Sequence, residues 1–302
     1  IVFGDWSSDV CSSDLDMIKF EGPAFVGVDP RLMGLELVQQ KLADCAMFTH
    51  QGEVVQAAEA LYQKPIMVVR GNFRPITTAT LDLIHCARSQ FAGELGIPEQ
   101  EVVVVPEMTL RHLAEGGVID PKEFLDRADT LALLGLPVMV SSYGRYFRLA
   151  AYLLRNTRMR IGIAMGVRRL RELFDESYYD DLEGGLLEAL GRMFKKELRL
   201  YIYPVVEERG RIDARTLEVA PHVRQLYAHF LENGLIEDIR GGREDYLGIY
   251  AREVLDQIRS GDPRWEAAVP PAVVARIKER RLFGWSGAGG GSISATCDRP
   301  GV

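Results

Sequence analysis

The sequence predicts an α/β protein with a doubly wound, mostly parallel sheet of five strands. The first observation is a set of five short apolar runs: Ile66-Met67-Val68-Val69, Val102-Val103-Val104-Val105, Pro137-Val138-Met139-Val140, Ile161-Gly162-Ile163-Ala164-Met165 and Leu200-Tyr201-Ile202-Tyr203. Each is strand-length and rich in residues that suit a pleated, buried surface. The second is that segments of helical spacing separate them, over residues 80–96, 121–134, 146–154 and 168–174. The third is that the runs do not alternate with polar residues, so both faces of the sheet must be covered, as helical crossovers between parallel strands do.

Taken in order, residues 1–15 stand apart. The run Asp5-Trp6-Ser7-Ser8-Asp9-Val10-Cys11-Ser12-Ser13-Asp14-Leu15 reads as the in-frame translation of a sequencing adapter, without the basic region and apolar core of a signal peptide. The native N-terminus is therefore expected to be missing. Residues 16–63 read as an N-terminal helical hairpin. Leu32, Leu35, Val38 and Leu42 supply one helix, His50-Gln51-Gly52 the break, and Val54, Ala57, Ala58 and Leu61 the other, together covering a sheet edge or face. Residues 64–211 carry the five strands. The first unit is the best formed: a strand, a tight loop from Gly71 to Thr77, and a helix for which Thr77, Thr78 and Thr80 are candidate N-caps. The second strand is expected to close at Pro106-Glu107, and a helix within residues 178–196 opens at Glu183-Gly184-Gly185 and ends on Lys195-Lys196, as its dipole favours. Residues 212–285 read as a C-terminal helical subdomain, with helices over 222–231, 246–258 and 271–281 and one strand candidate, Leu235-Ile236-Glu237-Asp238-Ile239. The glycine-rich tail, 286–302, is expected to be flexible or non-native.

At 302 residues, 47% hydrophobic and 26% charged, the chain has the make-up of a soluble globular protein. No apolar run approaches the ~20 residues of a membrane span, and a cytoplasmic location is expected. Setting aside Asp5, Asp9 and Asp14 takes the net charge from −7 to −4. That balance, with no basic stripe, gives no reason to expect nucleic acid. Cys45 and Cys86 have no zinc-like spacing and read as free thiols in helical, apolar contexts. Self-association into a homo-oligomer is left open.

Ligands of open α/β sheets bind outside the carboxyl ends of the strands. That places Gly71 to Thr77, Glu107 to Arg111, Ser141 to Arg145, Gly166 to Arg169 and Tyr203 on one rim. Arginines crowd it: Arg70, Arg74, Arg111, Arg145, Arg148, Arg168 and Arg169. Guanidinium groups suit bidentate contact with phosphate or carboxylate, and helix N-termini add amide donors. An anionic ligand follows.

The stretch Gly71-Asn72-Phe73-Arg74-Pro75-Ile76-Thr77-Thr78-Ala79-Thr80-Leu81-Asp82-Leu83-Ile84 resembles the opening motif of the nucleotidylyltransferase superfamily, Gly-x-Phe-x-Pro-(Ile/Val)-(His/Thr)-x-Gly-His-x-x-(Leu/Ile). Pantetheine-phosphate and nicotinamide mononucleotide adenylyltransferases are examples. The resemblance implies a Rossmann-like nucleotide-binding domain over 64–211. It also implies ATP or another nucleotide as substrate with Mg²⁺, a small phosphorylated acceptor, and adenylyl transfer in NAD or CoA metabolism. Gly71, Asn72, Phe73 and Arg74 would then bind the nucleotide, with Ser141, Ser142, Gly166 and Arg168 from neighbouring loops. Thr77, Thr80 and Arg145 would hold the catalytic positions. The sequence departs from the motif where its Gly-His pair falls on Ala79-Thr80, since a hydroxyl can donate a hydrogen bond but carries no positive charge. That replacement motivates the alternative, a nucleotide-binding or protein-binding descendant without turnover. The superfamily's second signature, Ile-Ser-Ser-Thr-x-x-Arg, has only a loose counterpart in Val140-Ser141-Ser142-Tyr143-Gly144-Arg145.

Other features read as structural. His222 and His229 lack a completing carboxylate at metal-ligand spacing, and Asp180, Asp181 and Glu183 precede a helix whose dipole they offset. No Gly-x-Ser-x-Gly, P-loop or Gly-x-Gly-x-x-Gly occurs, which removes the α/β-hydrolase, Walker-type and dinucleotide fingerprints.

Overall fold

The computed structural model describes residues 27–114, 117–195, 198–208 and 210–287; the adapter-like residues 1–15 and most of the glycine-rich tail lie outside them. The N-terminal part holds α1 (Pro30–Gln39), β1 (Cys45–Phe48), β2 (Val54–Val55) and α2 (Ala57–Ala60). The central part runs β3 (Ile66–Arg70), α3 (Thr78–Leu95), β4 (Val103–Thr109), α4 (Leu110–Leu113), α5 (Pro121–Ala132), β5 (Val138–Ser141), α6 (Tyr146–Asn156), β6 (Ile161–Gly166), α7 (Val167–Leu173), α8 (Gly185–Met193) and β7 (Leu198–Tyr203). A small hairpin, β8 (Val205–Glu207) and β9 (Gly210–Ile212), leads to α9 (Arg224–Glu232), β10 (Ile236–Asp238), α10 (Ala251–Ser260) and α11 (Pro271–Arg280).

The main sheet has eight strands in the order β10-β7-β6-β3-β4-β5-β1-β2. Six of them are parallel, and the chain walks from β3 outward through β4 to β5, then returns to lay β6, β7 and β10 on the other side of β3. This is the doubly wound order, with its topological switch between β3 and β6. The α/β class and all five expected strands are present. Residues 235–239 supply a sixth parallel strand, β10, paired with β7.

Two expectations change. The N-terminal segment is not a helical hairpin: α1 ends at Gln39, Lys41 takes a left-handed backbone (φ 59°), and the chain turns into β1, which runs antiparallel to β5 and carries β2 on its outer side. Cys45, expected on a helix, lies in β1. Periodicity cannot separate a four-residue buried strand from a helical turn; pairing with the open edge of β5 decides the matter. The segment still covers a sheet edge, by strands rather than helices. The second strand also runs past Pro106 to Thr109, and pairing with β5 begins only at Glu107. A carboxylate thereby enters the core.

Alternation along β3 sends Met67 and Val69 to one face and Ile66 and Val68 to the other, each into a separate apolar core. The first face is covered by α1, α3, α5, α10 and α11, with Trp265 fully buried; the second by α6, α7, α8 and α9. Local signals set the helix that matters most here. Thr77 caps α3 by accepting from Thr80 N at 3.2 Å, and Gly96 ends it in a left-handed conformation (φ 67°). The 18-residue α3 therefore starts immediately beside the switch point.

Candidate functional site

A buried polar network lies under the switch point. Arg70, last in β3, and Glu107, in β4, form a bidentate pair with contacts of 2.6 and 3.0 Å, and their side chains are 3% and 0% exposed. The remaining Arg70 donors reach Tyr143 O at 2.8 Å and Gly144 O at 3.3 Å, and its guanidinium lies 4.4 Å from the Tyr146 ring centre. Ser141 Oγ donates to the same Glu107 carboxylate. Burial opposes the Arg70 charge, but Glu107 outweighs it and holds the guanidinium above its ordinary pKa. A second buried guanidinium, Arg127 of α5, pairs with Glu123 and donates to the carbonyls of Asn72 and His112, each at 3.2 Å. It ties the switch loop to α4.

Two cavities meet above this network. The larger is a cleft of about 800 Å³ among Arg70, Asn72, Arg111, His112, Arg145, Tyr146, Arg169 and Tyr178. The smaller, about 260 Å³, is a crevice walled by Phe73, Leu83, Met165, Tyr203 and Leu247, with Ala79 and Thr80 of α3 at its edge. Arg70, Asn72 and Arg169 line both. At the mouth of the cleft Arg145 pairs with Asp181 at 2.9 Å and stacks 4.2 Å from the Tyr178 ring centre, while Arg169 pairs with Glu172 at 2.5 Å. Tyr203 closes the crevice floor by donating to Asp82 Oδ2 at 2.6 Å; burial, then this hydrogen bond, raises its phenol pKa.

Of the residues expected at the site, Gly71, Asn72, Phe73, Thr80, Gly166 and Arg168 line the crevice, and Arg145 lines the cleft with Asn72. Gly71 is a position of close approach: a Cβ there would stand 3.2 Å from the ring of Phe73, which itself takes a left-handed backbone (φ 48°). Arg168 lies 4.2 Å from the Tyr250 ring centre and 3.3 Å from Glu207. Four others are not brought to either cavity. Thr77 is 1% exposed and occupied in capping α3, and its Oγ1 sits 3.1 Å from that of Thr80. Ser141 is buried on Glu107. Ser142 faces away and joins the edge strand through Asp44 O at 2.9 Å, and Arg74 pairs with Glu123 at 2.5 Å.

Sequence reasoning missed His112, Tyr146 and Tyr178 in the larger cleft. Burial, then Arg169, Arg70, Arg127 and Arg111, push the His112 pKa down to about 3, so its imidazole is neutral. Burial pushes the Tyr146 phenol up to about 12, against the pull of Arg70 and Arg169. His112 and Tyr146 each follow directly on a rim segment, which is the one signal that could have marked them; Tyr178 follows none. Among the described residues no group of three or more His, Cys, Asp or Glu side chains is arranged to hold a metal ion. No helix of the described residues is long and apolar enough to cross a membrane.

No protein-family model matches the chain, and no curated protein matches it. Among solved structures it is similar to Plasmodium falciparum nicotinic acid mononucleotide adenylyltransferase complexed with NaAD, at 12% identity and a TM-score of 0.46, over 74% of this chain and 98% of that one. The same enzyme complexed with APC aligns at 12% identity and a TM-score of 0.37, over 74% of this chain and 98% of that one. It is the strand order around β3, with its switch between β3 and β6, that defines the chain as a Rossmann-like α/β fold.

Proposed function

We propose that the rim binds a nucleoside triphosphate and a phosphorylated acceptor side by side, as a nucleotidylyltransferase-like protein. The observation that carries this reading is the meeting of two unlike cavities over the Gly71 to Thr77 loop, with Arg70, Asn72 and Arg169 common to both. The apolar walls of the crevice suit a planar base. The adjoining start of α3 offers its positive dipole end to phosphates, and the motif resemblance falls on these same residues. The cleft is of ordinary ligand-site size and presents Arg111, Arg145 and Arg169 to an anionic acceptor. Magnesium would travel on the nucleotide's phosphates. Transfer would join an acceptor phosphate oxygen to the α-phosphorus and break the bond to the bridging oxygen, pyrophosphate leaving with the electron pair. The chain's own part is to align the two ligands and to offset charge with arginine. Titration calorimetry with ATP and other nucleotides tests the reading. Binding is expected, and silence from every nucleotide at millimolar concentration would overturn it.

A second reading, binding without turnover, is favoured by one observation: the Thr77 and Thr80 hydroxyls are occupied with each other and with the α3 cap. No imidazole stands there to offset charge on the transferring phosphorus. Restoring the motif with Ala79→Gly and Thr80→His separates the two. Pyrophosphate release gained only by the double variant supports the second reading, and release by the wild type excludes it.

A further inference from the structure

Tyr146 opens α6, is 3% exposed and lines the larger cleft, yet its hydroxyl has no hydrogen-bond partner among the described residues. Folded proteins pair nearly all such groups, because burying a polar atom without a partner costs stability. A phenylalanine would fill the same space at no such cost. A second orphan, the buried His112 Nδ1, lies on the same cleft. Both groups sit within the electrostatic reach of Arg70 and Arg169. The guanidinium charges around them differ in how they are compensated. Arg70 is neutralised by Glu107 deep in the protein, and the buried Arg127 shares Glu123 with Arg74. Among the described residues, the ion pair of Arg169 is an exposed one with Glu172, and Arg111 makes none. The cleft thus has a floor of uncharged hydrogen-bonding groups under a rim with cationic charge to spare.

We infer that this floor is an oxyanion site: Tyr146 Oη–H donates to an oxygen of a phosphate monoester, Arg169 exchanges Glu172 for the same group, and His112 supplies a second neutral contact. The inference rests on the assignment of the larger cleft to the acceptor and says how that acceptor is held. Tyr146 stays protonated at neutral pH, so it acts as a donor; the arrangement favours an anion over a neutral sugar.

Titration calorimetry with ribose 5-phosphate and with inorganic phosphate tests this on the wild type and on Tyr146→Phe, beside thermal melts without ligand. Wild type is expected to bind ribose 5-phosphate, and Tyr146→Phe to bind it about tenfold more weakly, as for loss of a hydrogen bond to a charged group. The ligand-free variant should melt at the same temperature or higher. Unchanged affinity in Tyr146→Phe overturns the inference, as does a lower melting temperature, which would mean that the hydroxyl serves the fold. If ATP binds but neither phosphate probe does, the oxyanion site is wrong while the nucleotide reading stands; if the probes bind and no nucleotide does, the reverse holds. His112→Phe keeps a ring and removes the orphaned nitrogen, giving a second variant. A several-fold loss is expected from it, and full affinity would count against the site.

Discussion

Arg70 and Arg145 both stand on the carboxyl rim of one sheet, and the contrast between them shows how little an arginine count says about ligand binding. Arg70 is 3% exposed and spends its donors on Glu107 and two carbonyls, whereas Arg145 is 25% exposed and shares one contact with an Asp181 that is itself 53% exposed. The first is a structural device that fixes β3, β4 and the Tyr143-Gly144 turn at the switch point. The second can exchange a partner for a ligand. Desolvation makes the difference: a buried charge stripped of its partner has nowhere to turn, while a half-exposed one is met by water.

The largest effect expected from this contrast is at Glu107. Replacing it with alanine should cost about 3–5 kcal/mol in urea denaturation, because Arg70 would remain buried and uncompensated. A loss below about 1 kcal/mol would erase the distinction between the two arginines. The next concerns acid. With His112 held to about 3 in the folded protein and about 6.5 when unfolded, the unfolded chain binds the extra proton across that window. Stability attributable to this group is full above the unfolded value and falls as pH drops from there toward 3, by up to about 1.4 kcal/mol per pH unit. His112→Gln should flatten that limb of the denaturation profile; an unaltered limb would show that the imidazole is not kept neutral. The smallest effect on stability is at Arg145. Arg145→Ala should change it by no more than about 1 kcal/mol, yet weaken ribose 5-phosphate binding. A variant that unfolds, or that binds as well as wild type, would move Arg145 out of the ligand-facing class.

The central strands were legible because five apolar runs bounded by polar loops admit few other architectures, and the rim followed from the rule that ligands gather where such strands end. The edge was not: residues 45–48 are all buried, and nothing in a four-residue apolar run distinguishes a strand from a helical turn. Within the rim, residue type was legible and direction was not. Ser141 and Ser142 are neighbours on an extended chain, so one is sealed onto Glu107 and the other faces out, a difference set by strand alternation and by pairing that continues beyond Pro106. Thr77 matches the motif position yet caps a helix, and Arg74 turns to Glu123 because α5 supplies a carboxylate there. His112 and Tyr146 form no motif at all. They are brought together by α4, which follows β4, and by α6, from residues more than thirty positions apart.

Hydrogen–deuterium exchange with and without saturating ATP tests the placement of the nucleotide most directly. Slowed exchange confined to the Gly71 to Thr80 loop and the start of α3, the Gly166 to Arg169 turn and the residues around Tyr246 is the expected result. Protection elsewhere on the sheet, with the switch loop unchanged while ATP is bound, would contradict it.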